Sequence, residues 1–318
     1  MRELWPKLLN EEHDSRCGKE AGSLLFETIV LERTRRLTGG IAAGHKRRGG
    51  SAIDSLSPIT DFARLSRAAL QTMAGAGQVL SECQRAMAAA GTSPLAEALQ
   101  GAAPIFEWQH YPSGDIYDPA SHAQYFYHAH PPGERRAGGD EHGHFHAFLR
   151  ARGMPAGVRP LVMPEFAVAN NPAAPKAPLV PSAPAPAAGE EADPWSHLVA
   201  IAIDATGAPL RLFTTNRWVT GETWYPAADV ARMLDCFTLG GSGPSPLLNR
   251  WIAALIGLYK PQLADLLAQR DAAVMDWRRR RRAKVHVLED QRLEVTSVLA
   301  IDLKAQIAQI DAALRRVA

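Results

Sequence analysis

Apolar positions recur along this chain at two different periods, and the changes between them mark its organisation. Phe62, Leu65, Ala69 and Met73 keep helical spacing, with Ser57 able to cap, Pro58 suited to a first turn and Gly91 as the stop. That pattern predicts a helix over about 58–90, followed by a short one in "SPLAEALQ". From Trp108 the period drops to two, in "EWQHYPSGDIYDPASHAQYFYHAH" and again in "HGHFHAFLR", which reads as strands separated by turns. "VRPLVMPEFAVA" carries prolines that suit only an edge or irregular segment. "HLVAIAIDATGAPLRLFTTNRWV" places two apolar strands around the turn "DATGAP" and predicts a hairpin. The helical period then returns. "PLLNRWIAALIGLY" and "PQLADLLAQRDAAVMDWRRRRR" read as two helices divided at Lys260–Pro261, because the residue before a proline resists helix. "VHVLEDQRLEVTSVLAI" reads as a further hairpin, and Leu303, Ile307, Ile310 and Leu314 form the apolar stripe of a last helix.

Two stretches lack either period. Residues 1–55 hold six Lys or Arg between Arg33 and Arg48 among glycine pairs, and read as a disordered basic tail. Residues 171–194, "NPAAPKAPLVPSAPAPAAGEEADP", are Pro/Ala-rich and cannot bury enough to fold, so they read as a disordered insertion. A lone hairpin on either side of that insertion would be marginal, whereas the two together make a viable sheet. The expectation is one α+β domain over 56–318: a central antiparallel sheet flanked by N-terminal and C-terminal helices.

Composition changes this picture little. The 318 residues are 46% apolar and 21% charged, enough for a sizeable core, and a net charge of +2 gives no general pull toward nucleic acid or anionic membrane. Cys17, Cys83 and Cys236 are odd in number and far apart, which suits reduced thiols in a cytoplasm better than a disulfide framework. The apolar run "LLFETIVL" is too short for a membrane span. A soluble, cytoplasmic protein with no membrane partner is expected, with nucleic acid unlikely as a partner.

The candidate chemistry lies in "YFYHAHPPGERRAGGDEHGHFHAFLR", residues 125–150, which holds five of the eleven histidines. Strand side chains alternate between faces, so His128 and His130 share one face, as do His142, His144 and His146. A symmetric closure sets His130 opposite His142 and His128 opposite His144, with directly opposed Cβ atoms about 4.5–5.5 Å apart. Four imidazoles then converge closely enough for three to bind one divalent ion, zinc or Fe(II), at ~2.0–2.1 Å. His146 falls roughly 13 Å along the strand from His142 and reads as the odd member of the metal set. Tyr125, Tyr127, Phe145 and Leu149 occupy the opposite, core-facing side. Asp140, Glu141 and Glu222 are candidate carboxylates, as a further ligand or as a general base. A loop closing one residue out of register would instead turn the two histidine sets to opposite faces.

"HGHFHAFLR" also resembles the motif of the histidine-triad nucleotide hydrolases and transferases. That resemblance implies His144 as nucleophile toward a nucleotide α-phosphate, His142 and His146 as its supports, and Arg150 at the motif's end. It covers about nine residues and departs at Gly143 and Leu149. More broadly, "EWQHYPSGDIYD", the two histidine segments and "HLVAIAIDATGAPLRLFTTNRWVTGETW" resemble an uncharacterised bacterial domain family. This implies that the pieces form one unit and implies no activity.

Several further residues carry two readings. Asn216, Arg217 and Trp218 can hold a small, anionic substrate beside the histidines, or belong to a tight turn at Thr220–Gly221 with Trp218 and Trp224 in the core. His110, Asp115 and Asp118 read first as parts of a turn on Pro112, Ser113 and Gly114. His197 shares the phase of Val199 and Ile201 and reads equally as core residue or ligand. The run Arg278–Arg282 reads as a solvated helix end. The leading expectation is a metal-dependent enzyme acting on a small molecule. The alternatives are metal-free nucleotidyl chemistry through His144 and a non-enzymatic metal- or partner-binding module.

Overall fold

The computed structural model describes residues 61–131, 141–161, 193–241, 243–281 and 286–317. The basic tail, residues 171–192 of the Pro/Ala-rich insertion, and residues 132–140 of the loop between the histidine strands, Asp140 included, lie outside the described residues.

Helix α1 spans Arg67–Ala89, capped by the Ser66 hydroxyl, which accepts from the Ala69 amide at 3.2 Å. It starts later than the sequence suggests: Phe62–Arg64 form a 3-10 turn and Leu65 is extended, so Ser66 rather than Ser57 caps it. It buries Leu70, Met73, Gly77, Leu80, Cys83 and Met87, one stripe at helical spacing. A short helix, α2, covers Pro94–Leu99.

Six strands follow: β1 Tyr111–Tyr117, β2 Ala123–Ala129, β3 Glu141–Arg150, β4 Trp195–Asp204, β5 Pro209–Thr215 and β6 Val295–Ala300. They form one antiparallel sheet in the order β1-β2-β3-β4-β5-β6, so each strand pairs with the next in sequence. β3 and β4 are direct neighbours from Glu141↔Asp204 to Arg150↔Trp195. The β4–β5 turn is tied by Asp204, whose Oδ1 accepts from the amides of Thr206 at 2.8 Å and Ala208 at 2.9 Å, with Gly207 at φ +86°.

Between β5 and β6 lie α3 (Arg217–Thr220), α4 (Ala227–Met233), α5 (Pro246–Leu258) and α6 (Lys260–Arg281), and α7 (Leu303–Arg316) closes the described chain. α5 packs on α1, α7 on α1, and α6 on β5 and β6. Gly77 eases the α1–α7 approach, since a Cβ there would sit 3.2 Å from Ile307 Cγ1, a tight contact. These helices join Tyr125, Tyr127, Phe145, Leu149, Val199, Ile201 and Leu212 of the sheet in one core. Each such side chain, fully buried, stabilises by about 1.5–3 kcal/mol. Among the described residues no helix is long and apolar enough to cross a membrane.

Two expectations about elements need correction. "VHVLEDQRLEVTSVLAI" is not a hairpin: Val287–Glu289 is a 3-10 turn and β6 is the single strand. The first half is held by side chains instead of a ladder. Asp290 accepts from the Arg292 amide at 3.1 Å and from Trp277 Nε1 at 2.9 Å, and Asn216 Nδ2 donates to the Val287 carbonyl at 2.9 Å. "HYPSGDIYD" is not a simple turn either: most of it is edge strand β1, with its irregularity between Tyr111 and Ile116, where Gly114 and Asp115 take positive φ.

Candidate metal centre

The sheet face opposite the main core carries the histidines. On β2, Tyr125 and Tyr127 point to the helices, so Phe126 and His128 point the other way, and His130 follows just past the strand end. On β3, Phe145, Ala147 and Leu149 face the helices, leaving His144, His146 and Phe148 beside them. The strands pair with His128 opposite His144 and Phe126 opposite His146. Alanines 202 and 200 on β4 stand opposite His144 and His146, small side chains that leave the imidazoles room. His128, His130, His144 and His146 are all buried.

A bulge decides which polar groups join them. Between Glu141 and Gly143, β3 spends two residues where β4 spends one, Asp204 to Ile203. Glu141 thereby turns onto the histidine face, and its Oε1 lies 2.7 Å from His144 Nδ1. His142 turns to the helix side, where its Nδ1 meets the Tyr127 hydroxyl at 2.6 Å and the two rings stack. Gly143 permits this, because a Cβ there would lie 2.2 Å from the His128 carbonyl oxygen and 2.4 Å from the Tyr127 hydroxyl. The four-histidine square over His128, His130, His142 and His144 therefore does not form. His130 still bonds the His142 backbone carbonyl at 3.0 Å, but the imidazole of His142 has left the face. The same turn removes one support that the histidine-triad resemblance requires.

What converges is a different set. His128 Nε2 lies 2.8 Å from His144 Nε2, and His130 Nε2 lies 3.1 Å from His144 Nδ1. The potential ligand atoms of His130, Glu141 and His144 lie within 4.8 Å of one another, as do those of His128, His144 and His146. Either trio could hold a metal ion. Two ligands ~2.1 Å from an ion are about 3.0 Å apart at an octahedral edge and about 3.4 Å apart at a tetrahedral one, so the first trio needs little movement to close on one. Glu141 passes its other oxygen to the Arg211 guanidinium, which reaches across from β5. The Phe213 ring meets His144 edge-on at 4.9 Å, and Trp108 covers His128 and His130 at 5.5 and 4.7 Å.

The face continues toward the start of β4. A second bulge, at Leu198, shifts the phase: His197 pairs with Phe148 on the histidine side, and Leu198 and Val199 both enter the main core. His197 thus shares the side of Ala200 and Ala202, not the phase of Val199 and Ile201. Its Nε2 lies 3.0 Å from His146 Nδ1, and its amide donates to Glu222 Oε2 at 2.8 Å. Burial first, then neighbouring imidazoles beginning with His197, hold the His146 pKa well below the usual histidine range. Burial and then Arg270 push that of His197 down to about 3. Burial pushes the Glu222 carboxyl up to about 7, against the pull of Arg270.

The remaining candidates are engaged locally. Asn216 caps α3 by accepting from the Arg217 amide at 3.0 Å, and Arg217 donates to the Glu222 carbonyl at 2.9 Å and pairs with Glu289. Trp218 is buried, its Nε1 bonded to the Leu293 carbonyl at 2.8 Å. Arg150 donates to Gln124 at 2.7 Å and lies over the Trp195 ring. Asp118 ties a turn, accepting from the amides of Ala120 and Ser121 at 2.8 and 3.1 Å. His110 stacks on Phe126 at 3.6 Å with its Nδ1 2.8 Å from Asp115 Oδ1. Arg211 was not among the predicted site residues, although a lone arginine between Leu210 and Leu212 in an apolar strand was a visible signal.

Residues 74–301 match the domain of unknown function DUF6969. No curated protein and no solved structure matches the chain.

Proposed function

The chain belongs to the DUF6969 family, and from that premise we propose that it is a metal-dependent enzyme acting on a small molecule. One observation carries the reading: three groups meet at a single buried point on His144 Nδ1. Glu141 Oε1 and His130 Nε2 lie 2.7 and 3.1 Å from that nitrogen. One proton on Nδ1 can serve one of them well, whereas a cation serves all three. Two histidines and one carboxylate make a set that suits Fe(II) or zinc and leaves positions open to substrate.

The ion would supply Lewis acidity to a water or a substrate oxygen. The chain's own residues prepare the site. Arg211 fixes the Glu141 carboxylate so that Oε1 faces His144. Phe213 and Trp108 wall the imidazoles with apolar surface, which limits water and strengthens electrostatic interactions inside. Glu222, at the other end, can hold or release a proton near neutral pH, which suits a general acid or base. Arg217 and Arg150 are the cations an anionic substrate would meet there. The free Cys83 and Cys236 thiols favour a reducing, cytoplasmic setting.

The test is elemental analysis of untagged protein, followed by titration of the metal-free chain with Fe(II) and zinc. Tight binding of at least one ion per chain is expected, with one ion fewer bound by His130→Ala. A preparation that carries no metal and binds none tightly would sink the reading.

A further inference from the structure

The geometry points to a centre for two ions, with His144 bridging them through its two ring nitrogens. This rests on the metal reading but adds a second site, a ligand set and a bridging group.

The two trios share His144, but not the same atom of it. Nδ1 faces Glu141 Oε1 and His130 Nε2 at 2.7 and 3.1 Å. Nε2 faces His128 Nε2 at 2.8 Å. The two lone pairs of an imidazole diverge, so one ion cannot use both nitrogens. With bonds of ~2.1 Å, ions on the two sides would stand roughly 6 Å apart.

The second trio, His128, His144 and His146, has its own support. His146 is fully buried, and its Nε2 has no hydrogen-bond partner among the described residues. A buried polar atom left that way is costly and calls for an explanation. Its Nδ1 lies 3.0 Å from His197 Nε2, and His197 Nδ1 lies 3.5 Å from Thr215 Oγ1. That chain lets His146 donate from Nδ1 and present the Nε2 lone pair to an ion. A ligating histidine commonly gives its other N–H to an outer partner that fixes its tautomer. The first trio has the matching device in Arg211, which orients Glu141.

Proton accounting sets the charge. Neutral His144 carries one N–H, so binding at both nitrogens releases that proton to solvent and leaves an imidazolate. Its negative charge lies between two dications and offsets their repulsion. Imidazole-rich ligation suits first-row divalent ions, copper and zinc included.

The experiment titrates full-length, untagged, metal-free protein with Cu(II), counting ions by native mass spectrometry and spins by electron paramagnetic resonance. Two tightly bound ions per chain are expected, and the second should diminish the spin signal as the ions couple through the bridge. Acidification that protonates the bridge should restore the signal. His128→Ala and Glu141→Gln should each retain one ion, and His142→Ala should retain two, with far-UV circular dichroism checking each fold. Saturation at one ion overturns the bridge and leaves the metal reading standing. Two ions with an undiminished two-spin signal also overturn it. No bound ion defeats both readings. The wild-type count and signal decide the matter even if a variant fails to fold.

Discussion

The two ends of the histidine face bury similar groups under different electrostatic terms. At the β3 bulge, Glu141 contacts an imidazole and a guanidinium directly, so its charge is compensated where it sits. At the start of β4, Glu222 receives only the His197 amide through Oε2, and Oε1 has no partner among the described residues. Arg270 acts on it from farther off while itself bonded to the Tyr225 carbonyl and to Asp271. Burial is alike; the nearest charge differs. The first end gives its carboxylate two direct partners, and the second leaves one whose carboxyl burial raises to about 7.

The sharpest way to break this contrast is to remove each acid in turn. Glu141→Gln leaves the buried Arg211 without its carboxylate and should destabilise by about 3–5 kcal/mol in urea unfolding, besides weakening metal binding. An unchanged midpoint would mean the ion pair contributes nothing. Next, Gly143→Ala attacks the device that turns Glu141 inward. Its Cβ would collide with backbone as well as with Tyr127, so a loss of about 2–3 kcal/mol and of metal affinity is expected. Normal metal uptake by a stable G143A protein would remove the bulge from the account.

Glu222→Gln should act with the opposite sign. The folded carboxyl sits at about 7 against an ordinary 4.5, so between those values the fold binds more protons than the unfolded chain. Its contribution is complete below about pH 4.5 and is lost as pH rises through 7. Glutamine escapes that loss, so the metal-free variant should gain up to about 3 kcal/mol over the parent at pH 8 and little at pH 4.5. Parallel stability curves for the two proteins would refute the raised pKa. His146 and His197, both depressed, work the other way: their stabilisation is lost as pH falls below about 6.5. The smallest effect belongs to His142→Ala, which removes one partner of the Tyr127 hydroxyl and should cost about 1 kcal/mol while leaving metal binding intact. A marked fall in metal affinity would bring His142 back into the site.

Much of this was legible in the chain. Alternation alone set His128 against the tyrosines of its strand and His144 with His146 against Phe145, because a strand's period of two needs no tertiary information; that the two sets share a face waited on the register. The "DATGAP" turn and the proline in the first turn of α6 declared themselves through local backbone chemistry, and the need of each hairpin for a partner foretold that the strands on either side of the insertion would share one sheet. Exchange of His142 for Glu141, recruitment of His197, and the meeting of Glu141 with Arg211 were not legible. Each depends on a bulge, which reverses the phase of every residue beyond it and leaves no periodic trace. Gly143 could be read as a residue without a side chain; only the packed sheet, with the His128 carbonyl and the Tyr127 hydroxyl pressed against it, made that absence decisive. The sequence by itself determined which residues could meet, through period and turn chemistry. The tertiary structure decided which of them do, because side-chain direction past an irregularity is set by contacts between strands distant in sequence.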